Sequence, residues 1–193
     1  MSLQFTNLQL TMIVVTLFLI AAVAIGLYIK HRKNRTVAFR DRFGSEYSRA
    51  VLEHGSSQKA EAKLAGRETR VESLNIRNLG SVEQERFVAE WKAVQARFLD
   101  HPKTAVTEAS ELINTILLAR GYPQAGFEQR AADVSVTYPR VMEDYRSANS
   151  IAVRSGKADA STEELRTAMI QYRAIFDELI QAQKPQEKKS AAA

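Results

Sequence analysis

The sequence predicts an all-α protein with one N-terminal transmembrane helix, a charged helical stalk and an antiparallel helical bundle. Residues 10–29 contain no charged side chain, and a helix of that length covers about 30 Å, the thickness of a bilayer's hydrocarbon core. Residues 81–183 place apolar side chains at steps of three and four, the period of a helix that buries one face. No segment of residues 30–193 alternates apolar and polar side chains over a useful length, as a strand would.

Residues 10–29 are interpreted as a permanent anchor rather than a cleaved secretory signal. A signal peptide carries positive charge before a shorter apolar run, and small residues at a cleavage site after it. Here residues 1–9 contain no Lys or Arg, and the small-x-small sequence at 22–24 lies inside the apolar run. Basic residues follow the run, and basic residues favour the cytoplasmic side. We therefore expect residues 1–9 to form a short extracytoplasmic end, with the rest of the chain in the cytoplasm.

The net charge of +5 is concentrated beside the predicted membrane segment. Residues 30–42 contain six basic residues and one acidic residue, whereas residues 43–193 contain equal numbers of each. The main part of the chain therefore lacks an excess positive charge for a nucleic-acid backbone, and no nucleic-acid partner is predicted. A basic flank either attracts anionic lipid headgroups or serves only to set the orientation. The residues expected to contact the membrane surface are Lys30, Arg32, Lys33 and Arg35.

Residues 30–80 are predicted to form a basic juxtamembrane segment and a helical stalk. Gly44 and Gly55 divide it, since glycine is common just past a helix end. The expected elements are helices over residues 45–54 and 57–73 and a loop over residues 74–80. The second helix has a thin apolar stripe, which consists of Ala60, Leu64 and Val71. A helix this polar is either a solvated spacer or rests one narrow edge on another element.

Four amphipathic helices are predicted within residues 81–183, and their short connections favour an antiparallel bundle. The first begins at a capping box formed by Ser81 and Gln84, and the last at a similar box formed by Ser161 and Glu164. The residues expected to face the core are Phe87, Val88, Trp91, Val94, Phe98, Val106, Ala109, Leu112, Ile113, Ile116, Leu117, Val141, Met142, Tyr145, Ala148, Ile151, Ala152, Leu165, Met169, Tyr172, Phe176 and Leu179.

Prolines mark the starts of the two middle helices of the predicted bundle. Pro102 or Lys103 begins the second helix, and Pro139 begins the third, because proline fits the first helical position. Between them a short helix is expected over residues 127–134, with residues 135–137 extended at most. Residues 184–193 have nothing to bury and are predicted to be a disordered tail.

No catalytic or metal-binding group of residues can be assembled from the sequence. The chain has no cysteine, which excludes disulfides, thiolate catalysis and cysteine zinc sites. Its three histidines, His31, His54 and His101, lie in separate segments without a second ligand at helical spacing. Its eight glycines are scattered and form no phosphate-binding loop. The sequence therefore predicts no enzyme activity, no metal site and no cofactor.

One segment, residues 120–133, mixes aromatic, basic and acidic side chains without a repeat. Loops held by a rigid scaffold are where binding residues tend to lie. The residues considered for partner binding are Tyr122, Phe127, Arg130, Asp133 and Tyr138. The alternative is structural: the aromatic side chains would plug the end of the bundle, and Arg130 and Asp133 would satisfy helix ends.

The chain also resembles a known family over most of residues 40–180. The resemblance rests on residues 87–98, on the sequence Arg-Gly-Tyr-Pro at 120–123, and on the motif Phe-Glu-Gln-Arg-Ala-Ala-Asp at 127–133. These features are similar to a family of uncharacterised bacterial single-span membrane proteins with a helical cytoplasmic domain. The resemblance implies a bacterial origin and placement in the cell envelope, and it supplies no catalytic residues.

Together these features favour a membrane-anchored interaction, scaffold or regulatory module in a bacterial inner membrane. Its expected partners are the lipid bilayer and a protein that the sequence does not identify. One alternative is an enzyme or small-ligand receptor with a pocket near residues 121–138. Another is a structural protein of the envelope that forms homo-oligomers through the stalk or the bundle.

Overall fold

The computed structural model describes residues 7–157 and 159–181, and within these residues the chain is helical and contains no strand. The predicted all-α class is therefore confirmed for the described part of the chain. The helices are α1 (Asn7–Phe43), α2 (Ser45–His54), α3 (Ser57–Glu72), α4 (Ser81–Arg97), α5 (Pro102–Ala119), α6 (Phe127–Thr137), α7 (Met142–Ser155) and α8 (Thr162–Gln181), with a 3-10 turn at Pro139–Val141. The tail predicted at 184–193 lies outside the described residues, as do the first six residues.

The chain divides into two units, Met1–Arg42 and Phe43–Ala193. The first unit consists of α1, whose 37 residues correspond to about 55 Å of helix. The described apolar side chains within residues 12–29 are exposed, as in Leu17, Phe18 and Ile20, whereas Phe39 is half-buried and Phe43, the last residue of α1, is buried and belongs to the second unit. Among the described residues it is the one helix that is long and apolar enough to cross a membrane. The helix continues without a break through the basic segment that follows residue 29.

The second unit begins at Phe43 and includes the segment predicted as a stalk. Gly44 and Gly55 both have positive φ, +51° and +74°, which glycine adopts without the steric cost of a Cβ. Ser56 caps α3 by accepting a 3.3 Å hydrogen bond from the backbone N–H of Lys59. The thin stripe of α3 is buried, and α3 packs against α2 and α6. Of the two arrangements considered for this polar helix, the structure therefore has the one in which a narrow edge rests on other elements.

The core of the second unit lies among α4, α5, α7 and α8. α8 packs against α5 and α7, and α4 packs against α5. Trp91 of α4 stacks on Phe176 of α8 with 4.7 Å between ring centroids. Of the residues predicted to face the core, only Val88, Phe98 and Ala152 are partly exposed, and all three still pack against it. The helical periodicity thus identified the core faces of all four helices.

The start of α4 and the end of α6 differ from their predictions. In both cases a hydrogen bond of a backbone N–H places the helix end at a residue other than the predicted one. The N-cap of α4 is Gly80, whose N–H donates to the Glu83 carboxylate at 2.9 Å, so the capping box predicted on Ser81 and Gln84 is wrong. The short helix α6 continues to Thr137, since Tyr138 still donates to the Val134 carbonyl at 2.9 Å. The residues predicted as extended are therefore helical.

Two further starts can be compared with the sequence. Pro139 begins a 3-10 turn, and the regular helix α7 starts only at Met142. The capping box at Ser161 and Glu164 is confirmed. The Glu164 N–H donates to the serine Oγ at 3.3 Å, and the glutamate accepts the Ser161 N–H at 2.8 Å. These interactions lower the pKa of Glu164 to about 2, with Arg154 contributing a further hydrogen bond.

Candidate functional site

The five residues predicted for partner binding lie around α6 and the turn that precedes it, but they face different neighbours. Tyr122 is buried, and its hydroxyl lies 3.1 Å from the Thr137 hydroxyl, at the end of α6. Burial raises the pKa of Tyr122, an effect that the hydrogen bond to Thr137 and the charge of Arg120 partly oppose. The side chain therefore ties the turn after α5 to the end of α6.

Tyr138 is also buried, and its ring lies 5.7 Å from the guanidinium carbon of Arg120. Burial raises the pKa of Tyr138 to about 12, although the charge of Arg120 acts in the opposite direction. Arg120 is itself 1% exposed and donates to the Leu179 carbonyl at 2.6 Å. The arginine at the end of α5 is thus an internal contact to the end of α8.

Phe127 and Arg130 contact α7 through one residue, Tyr145. The Phe127 ring lies 5.1 Å from the Tyr145 ring, in a tilted arrangement. Arg130 donates through Nε to the Tyr145 hydroxyl at 3.0 Å and through Nη1 to the Ala125 carbonyl at 2.9 Å. Both bonds lie within the domain, and they fix the start of α6 against α7.

Asp133 is 1% exposed, so its carboxylate needs partners inside the protein. Arg70 of α3 donates to it through Nε at 2.9 Å, and Gln129 donates at 2.8 Å. The carboxylate is therefore the point at which α3 is joined to α6. The sequence showed an acidic residue in an irregular segment, but it gave no indication of this partner 63 residues away.

The structure therefore brings the five residues into one region, where they contact different neighbours. Tyr122, Asp133 and Tyr138 point inward, and side chains buried to this degree do not reach a macromolecular partner in this conformation. The two grooves described below involve none of the five residues. The placement favours the structural alternative, in which these side chains close the end of the domain.

An ionic network that the sequence analysis missed connects α2, α3, α6 and α7. Glu46 is 3% exposed and accepts from Arg146 at 2.9 and 3.2 Å. Arg146 also donates to Glu128 at 3.0 Å, and Arg67 lies 3.6 Å from the Glu46 carboxylate. Burial would lower the pKa of Arg146, but the hydrogen bond and charge of Glu46 outweigh it and raise this pKa. The partners are 100 residues apart, so no local pattern predicts the network.

Two surface grooves border α4. The first, of about 290 Å³, lies between α4 and α8. Its lining residues are Gln95, Phe98, Arg166, Met169, Ile170 and Arg173. The second, of about 310 Å³, lies between α4 and α5, and half of its lining residues are charged, namely Glu90, Arg97, Glu108 and Glu111. In this second groove, Arg97 and Glu108 form an ion pair with each other.

The predicted membrane-surface residues, Lys30, Arg32, Lys33 and Arg35, are all exposed on α1. Arg35 also lies over the ring of Phe39, with 5.6 Å between its guanidinium carbon and the ring centroid. In the described part of the chain, no group of three His, Asp or Glu side chains could hold a metal ion.

Comparison of the chain with protein families, characterised proteins and solved structures gives no match. The family resemblance described above therefore remains a prediction.

Proposed function

We propose that this protein is a membrane-anchored helical interaction module of a bacterial inner membrane. The observation that carries the proposal is α1, a continuous helix whose described apolar side chains within residues 12–29 are exposed and which is followed by a unit with its own core. A surface of this size and apolarity is costly in water and favourable in a bilayer. The role we propose is binding rather than catalysis, with α4, α5, α7 and α8 acting as an antiparallel bundle.

The orientation we propose places the N-terminus outside and the second unit in the cytoplasm. The basic residues that follow the apolar run support this orientation, because cytoplasmic flanks are enriched in Lys and Arg. Lys30, Arg32, Lys33 and Arg35 would meet anionic headgroups, at about 1 kcal/mol for each residue near the surface.

The surface we propose for a protein partner is the groove between α4 and α8. Ile170 at its edge is 66% exposed, and Phe98 and Met169 supply further apolar lining. Arg166 and Arg173 are both largely solvent-accessible. The occupant that fits this chemistry is an amphipathic helix with an apolar face and acidic residues along its edges.

The arginines of the groove already have acidic neighbours on α8, but these pairs leave room for a partner. Arg166 lies 3.2 Å from Glu163, and Arg173 lies 2.8 Å from Asp177. Both are exposed pairs within one helix, and such pairs contribute about 0.3–0.5 kcal/mol. A carboxylate from a docked helix, held in a less solvated position, can therefore replace or share the existing partner.

Photo-crosslinking in living cells tests this proposal. A photoreactive amino acid is placed at Ile170 in the groove, and in a matched control at Val153 of α7, which is 55% exposed and does not line the groove. We expect position 170 to capture an acidic amphipathic segment of one protein, and Arg173→Glu to reduce that product about tenfold. Equal capture from both positions, or capture of a second copy of this chain, would refute the groove as the partner site.

A further inference from the structure

The α2–α3 hairpin, which we define as the arm (residues 45–72), is packed differently from the rest of the second unit. The continuous core runs from Leu79 onward through α4–α8. Within the described residues, none of the buried apolar side chains of the arm belongs to that core. The arm has its own buried apolar residues, which are Tyr47, Ala50, Ala60, Leu64 and Val71.

Charged pairs join the arm to α6 and α7. Glu46 of α2 is held by two hydrogen bonds from Arg146 of α7, at 2.9 and 3.2 Å. Arg70 of α3 is bonded to Asp133 of α6 at 2.9 Å. Arg49 of α2 lies 4.0 Å from Glu128, which also accepts from Arg146 at 3.0 Å. Ion pairs therefore join both helices of the arm to the α4–α8 part of the second unit, which we call the body.

The carboxylates of Glu46 and Asp133 are both buried, but their arginine partners differ in exposure, and the side chain of Arg146 is only 13% exposed. The side chains of Glu46 and Asp133 are 4% and 1% exposed, whereas that of Arg70 is 46% exposed. A buried carboxylate that loses its partner is strongly destabilised, so the pairs hold the closed state firmly. When the arm opens, however, both ions of each pair become hydrated, and dissolved salt then stabilises the separated charges. An arm held by apolar contacts alone would not be loosened by salt in this way.

From this arrangement we propose that the arm is an ionically latched segment, which opens from the body while the α4–α8 core remains folded. The covalent chain passes from α1 through the arm before it reaches the core. A pulling force on the proposed membrane anchor would therefore act on the arm before it acts on the core. The opening itself does not depend on the proposed partner groove, since no residue of the arm lines that groove.

Hydrogen exchange of the full chain in lipid nanodiscs, followed by mass spectrometry, tests the latch. Raising NaCl from about 0.1 M to about 1 M shortens the Debye length from about 10 Å to about 3 Å. We expect peptides of the arm to exchange at least about threefold faster over this range, while peptides of α5 and α8 keep their rates. Equal acceleration in arm and core, or none in either, would overturn the proposal.

A charge-neutralising variant provides a second measurement. Glu46→Gln keeps the shape of the side chain but removes the charge that Arg146 and Arg67 face. We expect exchange in the arm to rise on the order of tenfold to a hundredfold without a change in α5 and α8. The matched control is Asp177→Asn, which removes an exposed pair on α8 and should leave the arm unchanged. A variant that loosens arm and core together would refute a separate latch. Should Glu46→Gln fail to fold, the salt series on the unaltered chain decides the question.

Discussion

Gly121, at the end of α5, is the position where replacement by alanine should be most informative. Its φ is +97°, and an added Cβ would lie 2.5 Å from the backbone oxygen of Asn75. A left-handed conformation costs a residue other than glycine roughly 1–2 kcal/mol. The clash also displaces the loop that contains Arg77. The backbone N–H of Arg77 donates to the Arg120 carbonyl at 2.8 Å, and such a bond contributes about 1 kcal/mol. Gly121→Ala should therefore destabilise the second unit by about 2–3 kcal/mol.

Urea unfolding of the full chain in detergent measures this cost. The chain has a single tryptophan, Trp91, which is buried against Phe176, so its fluorescence reports unfolding of the second unit. With a slope of about 2 kcal/mol per molar urea, the midpoint should fall by about 1 M or more. Gly156→Ala is the matched control, because Gly156 at the end of α7 has a φ of −60°, and an added Cβ would meet only the Val153 carbonyl oxygen at 3.5 Å, an ordinary contact. It should stabilise by about 0.5–1 kcal/mol. A decrease of less than about 0.5 kcal/mol for Gly121→Ala would refute the reasoning.

Three further predictions use the same chain. Ile113→Ala should cost about 2–5 kcal/mol because Ile113 is fully buried in the α4–α8 core, whereas Leu99→Ala, at a residue 86% exposed, should stay within about 0.5 kcal/mol in the same urea assay. The carboxyl of Glu164, followed by NMR, should titrate near pH 2. Since its pKa is lowered from 4.5, its contribution to stability is complete above pH 4.5 and is lost as the pH falls toward 2. A titration near 4.5 would contradict the capping box. Tyr138→Phe should leave the free energy of unfolding unchanged or raise it, because this buried hydroxyl has no hydrogen-bond partner among the described residues. Tyr122→Phe, which loses the bond to Thr137, should cost about 1 kcal/mol.

The helices and their buried faces could be predicted because they depend on local periodicity. Seams such as Phe87, Trp91 and Val94 place apolar groups on one side of a helix wherever it packs, and these residues are buried as expected. Helix ends were predicted less well, since the choice between Gly80 and Ser81 as the N-cap depends on whether the Glu83 carboxylate reaches back. The two possible N-caps differ by one hydrogen bond, and the residue types alone do not show which of the two forms.

The candidate site was harder to predict because the surroundings of its side chains depend on residues that are distant in the sequence. Asp133 was considered for partner binding because it lies in a segment of mixed aromatic and charged residues. Its carboxylate is in fact buried and accepts a hydrogen bond from Arg70, which belongs to a helix far away in the sequence. Glu46 and Arg146 were not singled out in the sequence, because only the fold brings these two side chains together. A polar helix with a thin apolar stripe can be a spacer or a packed element, and its partner's surface decides between them.

The most direct test of the proposed membrane anchor and its orientation is labelling of single engineered cysteines. The chain has no cysteine of its own, so Ser2→Cys and Leu99→Cys each introduce one thiol, the second at a side chain that is 86% exposed. A maleimide that does not cross membranes is added to intact and to lysed cells. We expect position 2 to be labelled in intact cells, position 99 only after lysis, and both proteins to remain in the membrane fraction. Labelling of position 99 in intact cells, or recovery of the chain in the soluble fraction, would contradict the account.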